Sequence, residues 1–249
     1  MSGWVAVAGL GPGDEALITP EVTQALVEAT DVVGYVPYVA RIPDRPGLTR
    51  HATDNRQELD RAAHALTMAA EGHRVVVVSS GDPGVFAMAA ALFEALEAGP
   101  PAWRDLDIRI LPGITAMLAA AARAGAPLGH DFCAINLSDN LKPWPLIERR
   151  LRLAAEADFA MAFYNPSSKS RPEGFAKTLE VLRAACAGDP FILFARAVST
   201  PEESLRIVPL SAASADMADM RTVVIVGSSR TRLIDRPGAP ILYTPRSAA

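Results

Sequence analysis

The segment Val5-Ala6-Val7-Ala8-Gly9-Leu10-Gly11-Pro12-Gly13-Asp14 constrains this chain more than any other, because it begins as a dinucleotide-binding turn and then departs from one. In such a turn an apolar strand runs through G-x-G-x-x-G straight into a helix, whose N–H groups and dipole face the pyrophosphate. Here Asp14 replaces the third glycine and Pro12 sits inside the loop. The helix signal comes late, with Thr19 as N-cap and Pro20 at the first helical position. Five residues separate it from the loop. Val32-Val33-Gly34-Tyr35 also ends without the carboxylate that would hold a ribose. The glycine loop therefore serves something other than a nucleotide pyrophosphate, and a nicotinamide-dependent oxidoreductase is disfavoured.

Short β-branched runs alternate with helical stretches. Strands are predicted at Trp4–Ala8, Val32–Tyr35, Arg74–Ser79 and Ile108–Leu111, then at Phe132–Leu137, Phe159–Tyr164, Phe191–Ala195 and Thr222–Val226. One helix is predicted from Asp54, as N-cap, to Gly72, and another from near Pro172 to Gly188. This alternation implies an α/β protein with parallel sheets. Leu205–Leu210 reads as an antiparallel partner, which makes the second sheet mixed. The 249 residues suffice for two domains, with the boundary placed at Pro112-Gly113, giving 1–112 and 113–249.

Half the chain is apolar and 21% is charged, which excludes a disordered protein. The net charge of −4 argues against nucleic-acid binding. Cys133 and Cys186, with no CxxC or histidine partner, read as buried thiols of a reducing cytoplasm. No basic leader with a cleavage site is present, and the run Gly113–Ala122 is too short to span a bilayer. A cytoplasmic protein with no membrane association is expected. Lysine occurs only at Lys142, Lys169 and Lys177; every other cation is arginine.

In open α/β sheets ligands bind beyond the carboxyl ends of the strands. Three unusual loops follow predicted strands there: Gly9–Asp14, Ser79-Ser80-Gly81-Asp82-Pro83-Gly84-Val85-Phe86, and Pro112-Gly113-Ile114-Thr115-Ala116. Taken singly, Asp82 and Thr115 fit helix caps as well as a binding site. Taken together with Leu17-Ile18-Thr19, the loops resemble those of the tetrapyrrole methylases, the S-adenosylmethionine-dependent enzymes of the cobalamin and sirohaem pathways. The segments Asn136-Leu137-Ser138-Asp139-Asn140-Leu141-Lys142-Pro143-Trp144 and Phe163-Tyr164-Asn165-Pro166-Ser167-Ser168-Lys169-Ser170-Arg171 are similar to the branch of that family acting on carbon 17 of precorrin-3B. Met220–Gly227 and Thr244-Pro245-Arg246 agree, so the resemblance spans essentially the whole chain.

The resemblance implies two α/β domains, the first sheet mainly parallel and the second mixed, with the cofactor in the cleft between them, and a homodimer. Carried residue by residue, it implies S-adenosyl-L-methionine contacts at Pro12, Ser80, Gly81, Asp82 and Val85, and at Thr115, Ala116, Phe163, Tyr164, Ala197 and Thr222. At Ala197 the chain departs from the glycine-containing version of the family. The implied reaction is methylation of carbon 17 of precorrin-3B with ring contraction to precorrin-4, leaving S-adenosyl-L-homocysteine. The cobalt-precorrin-3 version, a sibling precorrin methylase and a non-catalytic tetrapyrrole carrier are the alternatives. Transient hand-over of the intermediate to neighbouring pathway enzymes goes with that setting.

Methyl transfer from a sulfonium needs alignment and exclusion of water more than acid–base help. That agrees with a sequence showing no Ser-His-Asp set, paired carboxylates or metal ligands, so any cobalt belongs to the substrate. Ring contraction moves protons, and Asp14 is the candidate acid or base, since its loop has no helix to cap; bracing of the loop is the competing role. His130 and Asp139 are weaker candidates. The polycarboxylate substrate needs local positive charge, assigned to Lys142, Lys169 and Arg171, with Gly11 also against the substrate. Arg41, Arg45, Arg50 and Arg56 read as solvated surface, with a rim or lid that contacts the substrate as the alternative, and Arg149, Arg150 and Arg152 as an exposed helix face.

Overall fold

Alternate residues of the first strand bury themselves on opposite sides of one sheet, and this sets the layering of the first half. The structure, a computed structural model, describes residues 3–54, 57–167 and 172–247; Arg56, Lys169 and Arg171 lie outside them. By its internal contacts the chain divides into Met1–Thr115 and Ala116–Ala249, where the sequence reading placed the division after Pro112.

The first unit runs β1 (Trp4–Gly9), α1 (Pro20–Glu28), β2 (Asp31–Tyr35), α2 (Val36–Val39), β3 (Thr49–Thr53), α3 (Glu58–Ala70), β4 (Arg74–Ser79), α4 (Met88–Ala98) and β5 (Asp107–Leu111). All pairings are parallel, in the order β3-β2-β4-β1-β5. The connections from β1 to β2 and from β4 to β5 cross the sheet in opposite directions. Right-handed crossovers then place α1 and α4 on opposite faces. Trp4, Ala6 and Ala8 pack with Val22 and Ala25 of α1, whereas Val5 and Val7 pack with α3 and α4 through Leu66 and Leu92. Strand β4 is covered on both sides, and Val75–Val78 are fully buried.

The helix ends follow local chemistry. Thr19 caps α1 through the Val22 N–H at 3.4 Å, with Pro20 at the first position. Helix α3 starts at Glu58 behind Gln57, not at Asp54, and Gly72 (φ +96°) turns the chain after it. Strand β3 was not foreseen, because Thr-Arg-His-Ala-Thr is a polar, half-exposed edge without apolar alternation.

The second unit runs α5 (Ala116–Ala124), β6 (Gly125–Ala126), β7 (Phe132–Asn136), α6 (Trp144–Glu156), β8 (Ala160–Tyr164), α7 (Gly174–Ala185), β9 (Phe191–Arg196), β10 (Ser204–Pro209), β11 (Thr222–Val226), β12 (Arg232–Ile234) and β13 (Ile241–Tyr243). Its main sheet, β10-β9-β11-β8-β7, is mixed: only β7 and β8 pair in parallel. Ile147 and Leu151 of α6 and Phe175, Leu179 and Leu182 of α7 fill the core on one face. Strands β12, β13 and β6 form a small separate sheet, too short to leave a periodic signal. Cys133 and Cys186 are half-buried rather than buried, and burial raises both thiols, Cys186 to about 11. No helix among the described residues is long and apolar enough to cross a membrane.

A charged cluster fastens the amino edge of the first sheet. The Asp31 carboxylate bonds His51 Nε2 at 2.8 Å, His73 Nδ1 at 2.7 Å and the Thr30 hydroxyl at 2.7 Å. Burial alone would raise its pKa, but these bonds outweigh burial and hold it below the usual carboxylate value. A depressed folded-state pKa adds stability above the unfolded value and loses it as pH falls through the folded one. Replacing Asp31 with Asn should therefore lower the unfolding free energy by about 2 kcal/mol at neutral pH. In urea titrations repeated at falling pH, the gap between the two proteins should close below the carboxylate range.

Candidate functional site

The order β4-β1-β5 brings the three loops foreseen in the sequence to one edge of the first sheet. Helices α1 and α4 leave β1 and β4 toward opposite faces, so a crevice opens at the carboxyl ends of these neighbours. The loops are joined through their backbones. Gly11 and Gly81 exchange both N–H···O bonds, at 3.2 and 2.9 Å, and Leu10 N–H donates to Ser79 at 2.8 Å. Asp82 accepts from Gly84 N–H at 2.8 Å and, with its other oxygen, from Gly113 N–H at 3.1 Å. The Thr19 hydroxyl reaches the Pro112 carbonyl at 3.4 Å.

This closeness accounts for the glycines. A Cβ on Gly9 would lie 2.5 Å from the Gly81 oxygen and 2.8 Å from the Gly113 nitrogen. One on Gly113 would lie 2.2 Å from the Gly81 oxygen and 2.8 Å from the Gly9 oxygen. Three strands end so near one another that only glycine fits. Asp82 is thus a brace between loops; α4 begins later, behind Ala87, with no side-chain cap.

Asp14 differs from its expected setting. It does have a helix to cap, the 3-10 turn Glu15–Leu17, and its Oδ1 accepts from Ala16 N–H at 2.9 Å. Of the arginines after α2, Arg41 and Arg45 are half-buried and bonded rather than solvated, while Arg50 is exposed as expected. Arg41 Nη2 donates to the Leu10 carbonyl at 2.7 Å and to the Gly13 carbonyl at 3.0 Å, holding the glycine loop. Arg45 binds the Leu26 and Ala29 carbonyls at the end of α1, and Arg50 the Ile42 carbonyl at 3.1 Å and Asp44 at 2.6 Å. Pro12, Ser80 and Val85 are half-buried at the same edge, and Gly11 is buried. Thr115 is buried at the end of this unit.

In the second unit Tyr164, Ala197 and Thr222 share the edge formed by the ends of β8 and β9 and the start of β11. The Tyr164 hydroxyl accepts the Met117 N–H at 3.0 Å in the first turn of α5, where Ala116 is half-buried. Phe163 is fully buried in the core, so its ring is not free to meet a ligand. The Thr222 hydroxyl donates to Asp219 at 2.8 Å, and Asp219 also takes Arg196 at 2.7 Å. Ala197 adopts φ +48°, a left-handed backbone that glycine takes without cost. Two residues on, Ser199 (φ +63°) has a buried hydroxyl with no hydrogen-bond partner among the described residues. Asn136 Oδ1 accepts from Ser138 N–H at 2.9 Å and from the Asn165 amide at 3.1 Å, tying the two subgroup segments together. Lys142 is half-buried in the loop after β7. His130 lies in a turn 3.8 Å from Asp131, while Arg149, Arg150 and Arg152 form an exposed face of α6.

Sequence reading missed Arg41 as a brace, and Arg61, which bonds the Thr53 hydroxyl and the Asp54 carbonyl. Arg61 carried a signal: it falls within the apolar stripe of α3 with Ala62, Ala65, Leu66 and Ala69. The open pocket of about 490 Å³ in this unit, lined by Asp31, Leu48 and His73, lies at the amino ends of the strands, away from these loops.

With this arrangement in hand, the chain is placed by its relatives. The profile of the Tetrapyrrole (Corrin/Porphyrin) Methylases matches residues 5–214, and the protein belongs to that family. It is 53% identical over 99% of its length to a precorrin-3B C(17)-methyltransferase of Sinorhizobium sp, covering 97% of that protein. It is 36% identical to a probable cobalt-factor III C(17)-methyltransferase of Salmonella typhimurium, over 97% of this chain and 98% of that one. The crystal structure of the methyltransferase CobJ matches 98% of this chain and 100% of its own with a TM-score of 0.94 and 70% identity.

Replacing Gly113 with Ala should destabilise the first unit by about 1–3 kcal/mol, because its Cβ meets fixed backbone oxygens rather than a flexible side chain. Chemical denaturation measures this. Replacing Gly174, whose backbone is not left-handed and whose Cβ would meet nothing nearer than the Pro166 oxygen at 3.9 Å, is the control for alanine itself.

Proposed function

We propose that this protein transfers a methyl group from S-adenosyl-L-methionine to carbon 17 of precorrin-3B, with contraction of the macrocycle to precorrin-4, in cobalamin biosynthesis. The observation that carries this reading is the 53% identity to a precorrin-3B C(17)-methyltransferase along nearly the full length of both chains. The lower identity to the cobalt-factor III relative favours the metal-free substrate. A homodimer, a cytoplasmic location and hand-over to neighbouring pathway enzymes belong to the same proposal.

The residues present suit a methyl donor. When bound, S-adenosyl-L-methionine supplies a methyl group already activated on sulfur and leaves as S-adenosyl-L-homocysteine. The first unit offers Pro12, Ser80, Gly81 and Val85 at the crevice, with Asp82 holding their loop. The second offers Ala116, Tyr164, Ala197 and Thr222, and Phe163 only as a packed support; Thr115 closes the set. A backbone locked by glycine contacts holds its donors in place without reorganising, which favours alignment of the reacting carbons. Lys142, with Lys169 and Arg171 outside the described residues, is assigned to substrate carboxylates, and Gly11 to the substrate face.

Incubation with S-adenosyl-L-methionine and metal-free precorrin-3B should add one methyl group by mass spectrometry, with a changed visible spectrum. Turnover of the cobalt form alone would instead move the substrate to that version. Asp14 enters as the acid or base of ring contraction. Asp14→Asn keeps the cap and removes the titrating group, so methylation without contraction is expected of that variant. Full contraction by Asp14→Asn would leave Asp14 as a brace only.

A further inference from the structure

Two loops of the second unit leave the same end of a parallel strand pair and are tied together where they leave. Asn136 and Tyr164 are register partners at the ends of β7 and β8, and the Leu137 N–H carries the ladder on to the Tyr164 carbonyl at 2.9 Å. Beyond that bond a side chain takes over. Asn136 Oδ1 accepts from the Ser138 N–H at 2.9 Å in its own loop and from the Asn165 amide at 3.1 Å in the other. Asn165 stands at φ +54°, a left-handed turn that asparagine tolerates better than most residues. The ladder between β7 and β8 is complete without the amide bond, so the bond fixes the direction in which the loops depart rather than the pairing of the strands.

The loop after β7 is held at both ends. Asn136 fastens its start, and at its finish Trp144, the first residue of α6, packs against the core of the unit. Leu137 is 2% exposed, whereas Leu141 at the tip of the loop is 100% exposed. Among the large apolar side chains of the described residues the next most exposed is Val27 at 63%. A solitary apolar residue on a surface is ordinary. A braced loop that carries one wholly into solvent, next to the half-buried Lys142, is less so. The loop also emerges at the edge that holds Tyr164, Ala197 and Thr222.

We infer that Ser138–Pro143 is a substrate-holding loop, in which Leu141 packs on the face of the macrocycle while Asn136 and Asn165 are positioning residues that set the loop's departure. This deepens the proposed function and rests on it. A conjugated macrocycle is flat and apolar on its faces and anionic at its carboxylate rim. An aliphatic side chain beside an ammonium matches both parts: the ring face takes Leu141 out of water, and the rim lies within the field of Lys142. Holding the loop in one direction before the substrate arrives lowers the ordering cost of binding.

The test uses the full chain with Leu141→Ser, Asn165→Gly and Asn136→Ala, and the double variant of the two asparagines. Absorbance titration measures precorrin-3B in the presence of S-adenosyl-L-homocysteine, and calorimetry measures S-adenosyl-L-homocysteine alone. Leu141→Ser changes a fully exposed side chain and should fold as the wild type does, and glycine takes the left-handed backbone of Asn165 without cost. Covering a leucine corresponds to about tenfold in affinity, and a neutral hydrogen bond to about three- to tenfold. Leu141→Ser is expected to bind precorrin-3B about tenfold more weakly with an unchanged salt dependence, since no charge is removed. Asn165→Gly is expected to lose about threefold or more, and the double variant no more than Asn136→Ala alone, because the two residues share one bond. Affinity for S-adenosyl-L-homocysteine should stay at the wild-type value throughout. Should Asn136→Ala fail to fold, Leu141→Ser and Asn165→Gly decide the matter. A wild-type protein that does not bind precorrin-3B would overturn the proposed function and this inference with it. Wild-type binding matched by Leu141→Ser and Asn165→Gly would overturn the inference alone, as would an equal loss for both ligands, which would make the asparagine pair a structural tie.

Discussion

Backbone packed directly on backbone at Gly9, Gly81 and Gly113 is the constraint on which the first unit's site depends. No side chain fits at Gly9 or Gly113, since an added Cβ would come within 2.2–2.9 Å of main-chain atoms of the neighbouring loops, and Gly81 takes a left-handed φ of +61°. The paired bonds between Gly11 and Gly81 and the reach of Asp82 to Gly113 then fix the loops to one another. Flexibility is not the purpose of these glycines. They permit a close approach that makes three loops one rigid edge, and a rigid edge suits a reaction whose main demand is alignment.

Sheet order supplies the rest. Because β1 and β4 are neighbours whose following helices depart to opposite faces, the crevice lies where Ser80 and the glycine loop emerge. The same edge carries Arg41 on the glycine loop and Arg61 at the end of β3, while the histidine cluster on Asp31 occupies the amino edge and serves stability. In the second unit the mixed sheet brings Tyr164, Ala197 and Thr222 together from strands distant in sequence. The Tyr164 and Thr222 hydroxyls are engaged with α5 and Asp219, so the loops are held by groups that a reading of motifs assigns to the cofactor.

Much of the fold was legible because the central strands are continuous apolar runs and the helix signals are chemically sharp. Thr19 with Pro20 opens α1 where expected, and Arg74–Ser79 and Thr222–Val226 are strands over those residues. Edge strand β3 and the short β12 and β13 were not legible, since polar or very brief strands leave no alternation to read. The convergence of the three loops could be anticipated from their positions after strands. Which side chains would be consumed inside the loops could not. Asp14 and Asp82 each look available in the sequence, and each accepts backbone N–H groups in the structure. Arg41 and Arg45 misled in the opposite sense: their partners are carbonyls, which carry no residue identity and therefore no sequence signal.

The measurement that addresses the account most directly is hydrogen–deuterium exchange of the intact protein with and without S-adenosyl-L-homocysteine, with NADH as the comparison ligand. The account predicts ligand-dependent protection by S-adenosyl-L-homocysteine in peptides containing residues 9–13, 80–85 and 112–115, and none from NADH. Protection absent from residues 9–13 and 80–85, or reproduced there by NADH, would contradict the assignment of the glycine-built edge to a methyl donor.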